Sequence, residues 1–493
     1  MAVLGIALLI GAIVALVATA LLKHLRLRRQ FAACPGPRSF PLIGNAAQLK
    51  MKPEDFMDQT MGTCMMFPAY PRMQNIWLAT EPYVMLYGAE VVEVVLSSGK
   101  HIDKGFEYNM LHPWLGRGLL TSASTTWRPR RKLLTPTFHY DILKDFVEVF
   151  NQQSKILLGI LRPFAESGKS FDVSTYIASC ALDIICESAM GRSVNAQLNH
   201  QSDYVKAIIE INDIIHKRQK NPLSWPNFLF WHFGNGKRHA WCLEVLHGFT
   251  QKVIDERKAE IDKLGGMDEM MNALQDKRNN NVGDDDVDSK KQRLAFLDLL
   301  LDLVDRQQMP MADVRPEVDT FMFEGHDTTS SAMTWTLHLL GCYPEVQRRV
   351  HAELDALFGD DARDITFEDI GSLKYLECCV KETLRLFPSV PMFTRVLKHD
   401  QPIDGLVVPA GTQVVIVSYM VHRDPKHWPD PEVFDPDRFS PQQTAGRHPY
   451  AFLPFSAGGR NCIGQRFAMM EEKTVLAWLL RYFEVESVQR RDQ

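Results

Sequence analysis

The chain has 493 residues, a net charge of −5 and 45% hydrophobic residues. The hydrophobic content is ordinary for a globular protein, and the mild acidity offers nothing to nucleic acid. Length alone allows roughly three domains of about 150 residues. Nine cysteines, at 34, 64, 180, 186, 242, 342, 378, 379 and 462, form no CxxC pair and no regular spacing. An odd, scattered set argues against a disulfide framework and for a reducing, cytosol-facing compartment.

Residues 1–22 are apolar except for Thr19, and Lys23, His24, Arg26, Arg28 and Arg29 follow at once. As a helix the apolar run spans about 33 Å, enough for a bilayer core. A cleavable signal carries its positive charge before the apolar run, and here the charge comes after. Residues 1–22 therefore read as an uncleaved transmembrane anchor with a lumenal N-terminus and a cytosolic remainder. Residues 23–45 read as a basic stretch and a hinge. Within them, Cys34-Pro35-Gly36-Pro37-Arg38-Ser39-Phe40-Pro41 is too proline-rich to continue a helix.

Beyond the hinge, residues 46–493 read as one mainly helical domain with small sheets. Short strands are expected at Ile76–Ala79 and Tyr83–Tyr87. Trp127 and Arg131 stand i,i+4 and share a helix face, while Arg128, Arg130 and Lys132 read as a basic surface patch, suited to docking an acidic partner. Residues 279–291, rich in Asn and Asp, read as a solvated loop, and an amphipathic helix resumes at Leu294–Val304. Val407–Val408 and Val414–Val417 flank Pro409-Ala-Gly411-Thr and read as a hairpin.

A longer apolar helix is expected over Val318–Leu340, with Pro316 suited to its first turn. Inside it lies Glu324-Gly325-His326-Asp327-Thr328-Thr329. Glycine and clustered threonines are poor helix-interior residues, and hydroxyls that bond back to the i−4 carbonyl bend a helix. Any one of these polar residues fits a plain buried helix, but the cluster does not. A bent turn bearing an acid and an alcohol suits a site that binds dioxygen and delivers protons to it. Farther on, Glu382 and Arg385 are spaced i,i+3 and can pair, which alone is weak evidence.

The most informative stretch is Phe455-Ser-Ala-Gly458-Gly-Arg460-Asn-Cys462-Ile-Gly464. Its glycines tolerate positive φ and let backbone approach a flat ligand. A helix expected over Gln465–Leu480 starts beside Cys462, and its free N–H groups and dipole lower a thiol pKa. A lone Cys462 would read as one more buried cysteine. In this phrase it reads as a thiolate cradle, able to ligate haem iron.

The phrase resembles the cytochrome P-450 haem-thiolate monooxygenases, and the chain is similar to them in motif order from residue 35 to about 483. The resemblance implies the P-450 fold, haem b held through Cys462 with Phe455 beside it, O2, and NADPH electrons supplied by cytochrome P-450 reductase, with cytochrome b5 as a further donor. It implies that Trp127, Arg131, Arg395 and Arg460 pair with the haem propionates. Asp327 and Thr328 become the proton-delivering acid and alcohol, and Glu382, Arg385 and Arg438 (in Phe434-Asp-Pro436-Asp-Arg438-Phe439) a network bracing the thiolate loop. Arginine suits carboxylates because its fork stays charged and grips them bidentately.

Trp114-Leu-Gly-Arg-Gly-Leu-Leu120, Cys186-Glu-Ser-Ala-Met-Gly191 with Val194-Asn-Ala-Gln197, and above all Glu324 resemble the family-4 branch, the microsomal fatty-acid ω-hydroxylases. In that branch the glutamate commonly forms an ester with a haem methyl, which would also relieve a carboxylate facing an apolar pocket. The implied function is lipid hydroxylation at the endoplasmic reticulum membrane. Two alternatives stand beside it: a haem-thiolate isomerase or dehydratase, and a non-catalytic haem-binding membrane protein. The second arises because only 31 residues follow Cys462, so the C-terminal end, and with it a strand pair expected to line the pocket, reads as shortened.

Overall fold

A computed structural model describes residues 2–67, 72–199, 203–272 and 295–491. Ten helices carry the argument: α1 (Ala2–Gln30), α2 (Pro53–Met65), α3 (Ser124–Leu134), α4 (Tyr140–Ser167), α5 (Ser174–Met190), α6 (Asp203–Lys220), α7 (Gly236–Lys263), α8 (Val314–Cys342), α9 (Lys374–Leu386) and α10 (Gln465–Tyr482). The strands are β1 (Met73–Leu78), β2 (Glu81–Leu86), β3 (Phe393–Val396), β4 (Gln401–Ile403), β5 (Leu406–Val408) and β6 (Gln413–Ile416). The fold is mainly α with small sheets, as expected.

α8 is the axis of the helical body and packs on α5, α7, α9 and α10. α10 is buried from Phe467 to Leu480 with one half-buried position, including the polar turn Glu471-Glu-Lys-Thr474, so it is a core helix rather than a surface one. Thr329 Oγ1 on α8 and Glu471 Oε1 on α10 lie 3.1 Å apart, so a polar contact joins the two helices inside this core.

The sheet runs in the order β1-β2-β6-β3, with β2 and β6 parallel and the other pairs antiparallel. The expected hairpin of 407–408 with 414–417 does not form. β5 pairs instead with β4 across Asp404-Gly405, both at positive φ (45° and 80°), the conformation of a tight two-residue hairpin. That turn takes up β5 and leaves β6 to lie between β2 and β3. Gly411, at φ 82°, turns the chain from one sheet to the other, and its N–H donates to Leu397 O (2.7 Å).

The expected anchor, residues 1–22, lies largely outside the described side chains. Among the described residues no helix is long and apolar enough to cross a membrane. α1 does not stop at the basic stretch but runs through it to Gln30. The hinge is not a free connector: Asn75 N donates to Pro35 O (2.7 Å), Asn75 Nδ2 to Cys34 O (2.5 Å), and Arg28 lies 4.7 Å over the Trp77 ring. The loop expected at 279–291 lies outside the described residues. Among the described residues the cysteines are free.

Candidate active site

The 455–464 loop is closed by its own backbone. Cys462 N–H donates to Phe455 O (3.0 Å) and Asn461 N–H to Gly458 O (3.2 Å). Of the three glycines only Gly458 has positive φ (72°), joined by Ser456 at 58°. A Cβ on Gly458 would lie 1.8 Å from Leu96 O, so this position must be glycine for space as well as torsion. Arg131 of α3 clamps the loop from one side, donating to Asn461 O (2.9 Å) and Oδ1 (3.2 Å). Arg460 anchors it on the other through the carbonyls of Ile102 (2.8 Å), Leu120 (2.9 Å) and Ser122 (2.7 Å).

Cys462 opens onto an interior cavity of about 840 Å³. The expectation that its thiol is acidified fails for the protein alone. The Gly464 N–H, Arg131 and Lys104 pull the pKa down, but burial, helped by the charge of Glu324, outweighs them and lifts it to about 11. A ligating metal deprotonates a thiol outright, so the acidity that helix and cations do not provide is one that iron would.

Glu324, Gly325, Thr328 and Thr329 of α8 line the same cavity. Glu324 and Thr328 are one turn apart and so share a face. The hydroxyls bond back as expected, Thr328 Oγ1 to Glu324 O and Thr329 Oγ1 to Gly325 O (both 2.8 Å), yet α8 stays an unbroken α-helix through the motif. Burial raises the Glu324 pKa, opposed by Lys104 and Arg460. Asp327 is not part of the cavity wall, and no hydrogen bond joins it to Thr328 among the described residues. Burial raises its pKa too, opposed by His326.

Trp127, Arg131, Phe455 and Arg460 all line the cavity, so the i,i+4 pair does face one way. Arg395, on β3 and 2% exposed, donates to Thr394 O (3.0 Å) and reaches Ser456 Oγ at 3.5 Å. Neither Arg395 nor Arg460 has a carboxylate at ion-pair distance among the described residues. Burial, with Arg395 as a like charge, lowers the Arg460 pKa to about 10. Buried cations without anions are costly. Arg460 on the wall of a thiol-bearing cavity, with Arg395 not itself on the wall but reaching the loop at Ser456, fits a flat ligand that carries its own carboxylates.

Sequence reasoning missed Lys104 and Tyr108, which also line the cavity and stack, with the ammonium 4.6 Å from the ring. Burial and the two arginines push the Lys104 pKa down. A single lysine in His101-Ile-Asp-Lys104 carries no spacing signal; only tertiary structure brings it to the arginines. Of the expected basic patch, Arg130 is turned inward. It pairs with Asp313 and with fully buried Glu317 (3.0 Å), because these acids arrive on the chain entering α8. Glu317 in turn accepts Leu119 N–H (2.9 Å), so the 114–120 motif links the start of α8 to the carbonyls that hold Arg460.

Glu382 and Arg385 on α9 are fully buried and bidentate, both contacts 2.7 Å. Arg385 also donates to the carbonyls of His422, Pro431 and Val433. Glu382 accepts Asp435 N–H (2.9 Å), and Arg438 Nε approaches it at 3.5 Å. The three residues therefore meet.

The family model for cytochrome P450 matches residues 34–493. The chain belongs to the cytochrome P450 family. It is 47% identical over 480 residues to cytochrome P450 4V2 of Mus musculus, covering 96% of this chain and 88% of the relative. Human cytochrome P450 4V2 is 47% identical over 92% of this chain and 85% of the relative. Cytochrome P450 4c3 of Drosophila melanogaster is 45% identical over 95% and 87%. The chain is thus a family-4-like haem-thiolate monooxygenase, with haem b and its iron as cofactor, O2 as co-substrate, NADPH electrons through a reductase, and a lipophilic substrate.

Proposed function

We propose that this P450 is anchored on the cytosolic face of the endoplasmic reticulum and hydroxylates a fatty acid at or near its ω carbon. Residues 1–22 would be the single-pass anchor, 23–45 the basic stretch and hinge, and 46–493 the catalytic domain. Haem, when bound, supplies the oxidising chemistry, and the protein supplies position, protons and electrostatics.

Cys462 would hold the iron, with Phe455 beside it, and Trp127, Arg131, Arg395 and Arg460 would hold the propionates. Glu382, Arg385 and Arg438 would brace the loop. Thr328, whose own proton is bonded to Glu324 O, is left to accept at the cavity surface, and Asp327, off the cavity wall and kept protonatable by burial, would be the proton source. The raised pKa of Glu324 favours its neutral form, which ester formation with a haem methyl would make permanent.

The observation that carries the reading is one cavity shared by Cys462 and by Glu324 and Thr328 on a single face of α8. The test is incubation with reductase, NADPH and a mixed fatty-acid panel, followed by mass spectrometry. Terminally hydroxylated acids are expected. NADPH-dependent oxygen uptake with no hydroxylated lipid would overturn the substrate.

A further inference from the structure

The cavity has a second end, built from α2 and α6. Asn212, His216 and Lys220 follow one another at i,i+4 spacing on α6, and all three line the cavity, so they form a polar stripe along one helix face. Opposite them stand Phe56 and Met57 of α2. The groups that bond to Lys220, Met51 O and the Phe56 ring, lie outside the Cys462 loop, and the stripe and the thiol share one cavity wall.

Lys220 is 5% exposed. Its ammonium donates to Met51 O (2.7 Å) and lies 4.6 Å over the Phe56 ring. An ammonium has three donors, and no carboxylate stands at ion-pair distance among the described residues. The nearby acids are otherwise placed: Asp213 is paired with Lys217 (2.6 Å), and Glu54 is exposed and acts only through space. His216, one turn before Lys220, has an unpartnered Nε2, packs edge-on to Phe56 (5.8 Å) and is held neutral by burial and by Lys220, with a pKa of about 4. Burial takes the Lys220 pKa down to about 8. A carbonyl and a ring do not repay the burial of a charge; an anion delivered into the cavity would.

We propose that Lys220 is the carboxylate-recognising residue of this enzyme, taking the acid head group of a long-chain substrate with His216 as a second donor and leaving the apolar chain to extend toward Cys462. This rests on the fatty-acid reading and deepens it: the head group is fixed at the α2–α6 end, so the opposite end of the chain meets the thiolate side. The competing role for Lys220 is a structural clip between α6 and residue 51, and the experiment separates the two.

Purified holoenzyme is titrated with a long-chain fatty acid, its methyl ester and the alcohol of the same length, following the substrate-induced shift of the haem absorption. Lys220→Met should weaken binding of the acid by about tenfold, the loss of one charge-assisted contact, and leave the ester and alcohol unchanged. Lys220→Gln keeps a donor for Met51 O without the charge and should show the same split, which guards against a folding defect. Equal weakening of all three ligands, or no change for the acid, overturns the proposal while leaving a lipid substrate in place. A wild-type enzyme that shifts with none of the three sinks the fatty-acid reading itself, and the role of Lys220 with it.

Discussion

The two ends of the cavity are built by different means. Around Cys462, guanidinium groups hold backbone: Arg460 takes four carbonyls, Arg131 takes Asn461, and Arg385 takes three carbonyls and Glu382. At the α2–α6 end, side chains face side chains, and the buried Lys220 ammonium makes its hydrogen bond to the Met51 carbonyl. Backbone-directed bonds fix a position whatever the neighbouring side chains are, and arginine's planar fork holds several acceptors at once. The first end is therefore suited to hold an invariant cofactor. The second can change its substrate by exchanging a few residues without disturbing the first.

Three substitutions at the thiolate end should have the larger effects. Cys462→Ala removes the iron ligand and should abolish the reduced carbon-monoxide spectrum of a haem-thiolate protein; retention of that spectrum would reassign the ligand. Glu382→Ala leaves Arg385 buried and unpaired, a loss of about 3–5 kcal/mol, and should show as a fall in haem-loaded yield and thermal stability. If the contrast between the ends is sound, Lys220→Met, which removes a charge instead of stranding one, should leave haem loading untouched. Thr328→Ala should keep the spectrum and the stability but lower product formed per NADPH by on the order of 100-fold, the low end of what a positioned proton-transferring group contributes. Unchanged coupling would remove Thr328 from proton delivery.

The thiolate end was legible in the sequence because its parts are local. The apolar run and Pro316 bracket α8, which spans 314–342 where 318–340 was expected, and α10 spans 465–482 where 465–480 was expected. The order of the motifs carried Glu382, Arg385 and Arg438 into one network. What the sequence hid depends on distant chain. Lys104 joins Arg395 and Arg460 only through the fold, and Arg130 turns inward because Asp313 and Glu317 arrive beside it. The thiol pKa was misjudged because a helix N-terminus can be read from sequence, whereas the burial that outweighs it cannot. The hairpin was misplaced because Asp404-Gly405, the stronger turn signal, was passed over for Pro409-Ala-Gly411.

Glu324 tests whether the haem is tied to α8 as well as to Cys462. The acid-denatured wild-type chain should retain the mass of haem, and Glu324→Ala should release it to acidic solvent while the native carbon-monoxide spectrum persists. Haem fully extractable from the wild type excludes the ester and leaves Glu324 a protonated or cation-compensated carboxyl near Lys104.

The smallest expected effect lies where the two ends meet. Glu107 lines the cavity, accepts from Thr394 beside Arg395, and its carbonyl is 3.5 Å from Gln219 Nε2 on α6. Burial lifts its carboxyl from 4.5 to about 7, against its own backbone N–H and Lys104. With the folded pKa raised, the folded state binds more protons than the unfolded one between these values, so stability falls as pH rises through that window. Glu107→Gln is neutral throughout and lacks this loss. Melting temperatures of the two proteins should agree best near pH 4.5 and diverge toward pH 7.5, with the variant the more stable. Parallel curves would mean that Glu107 is charged in the folded protein, compensated by Lys104, and that the junction belongs electrostatically to the cofactor end.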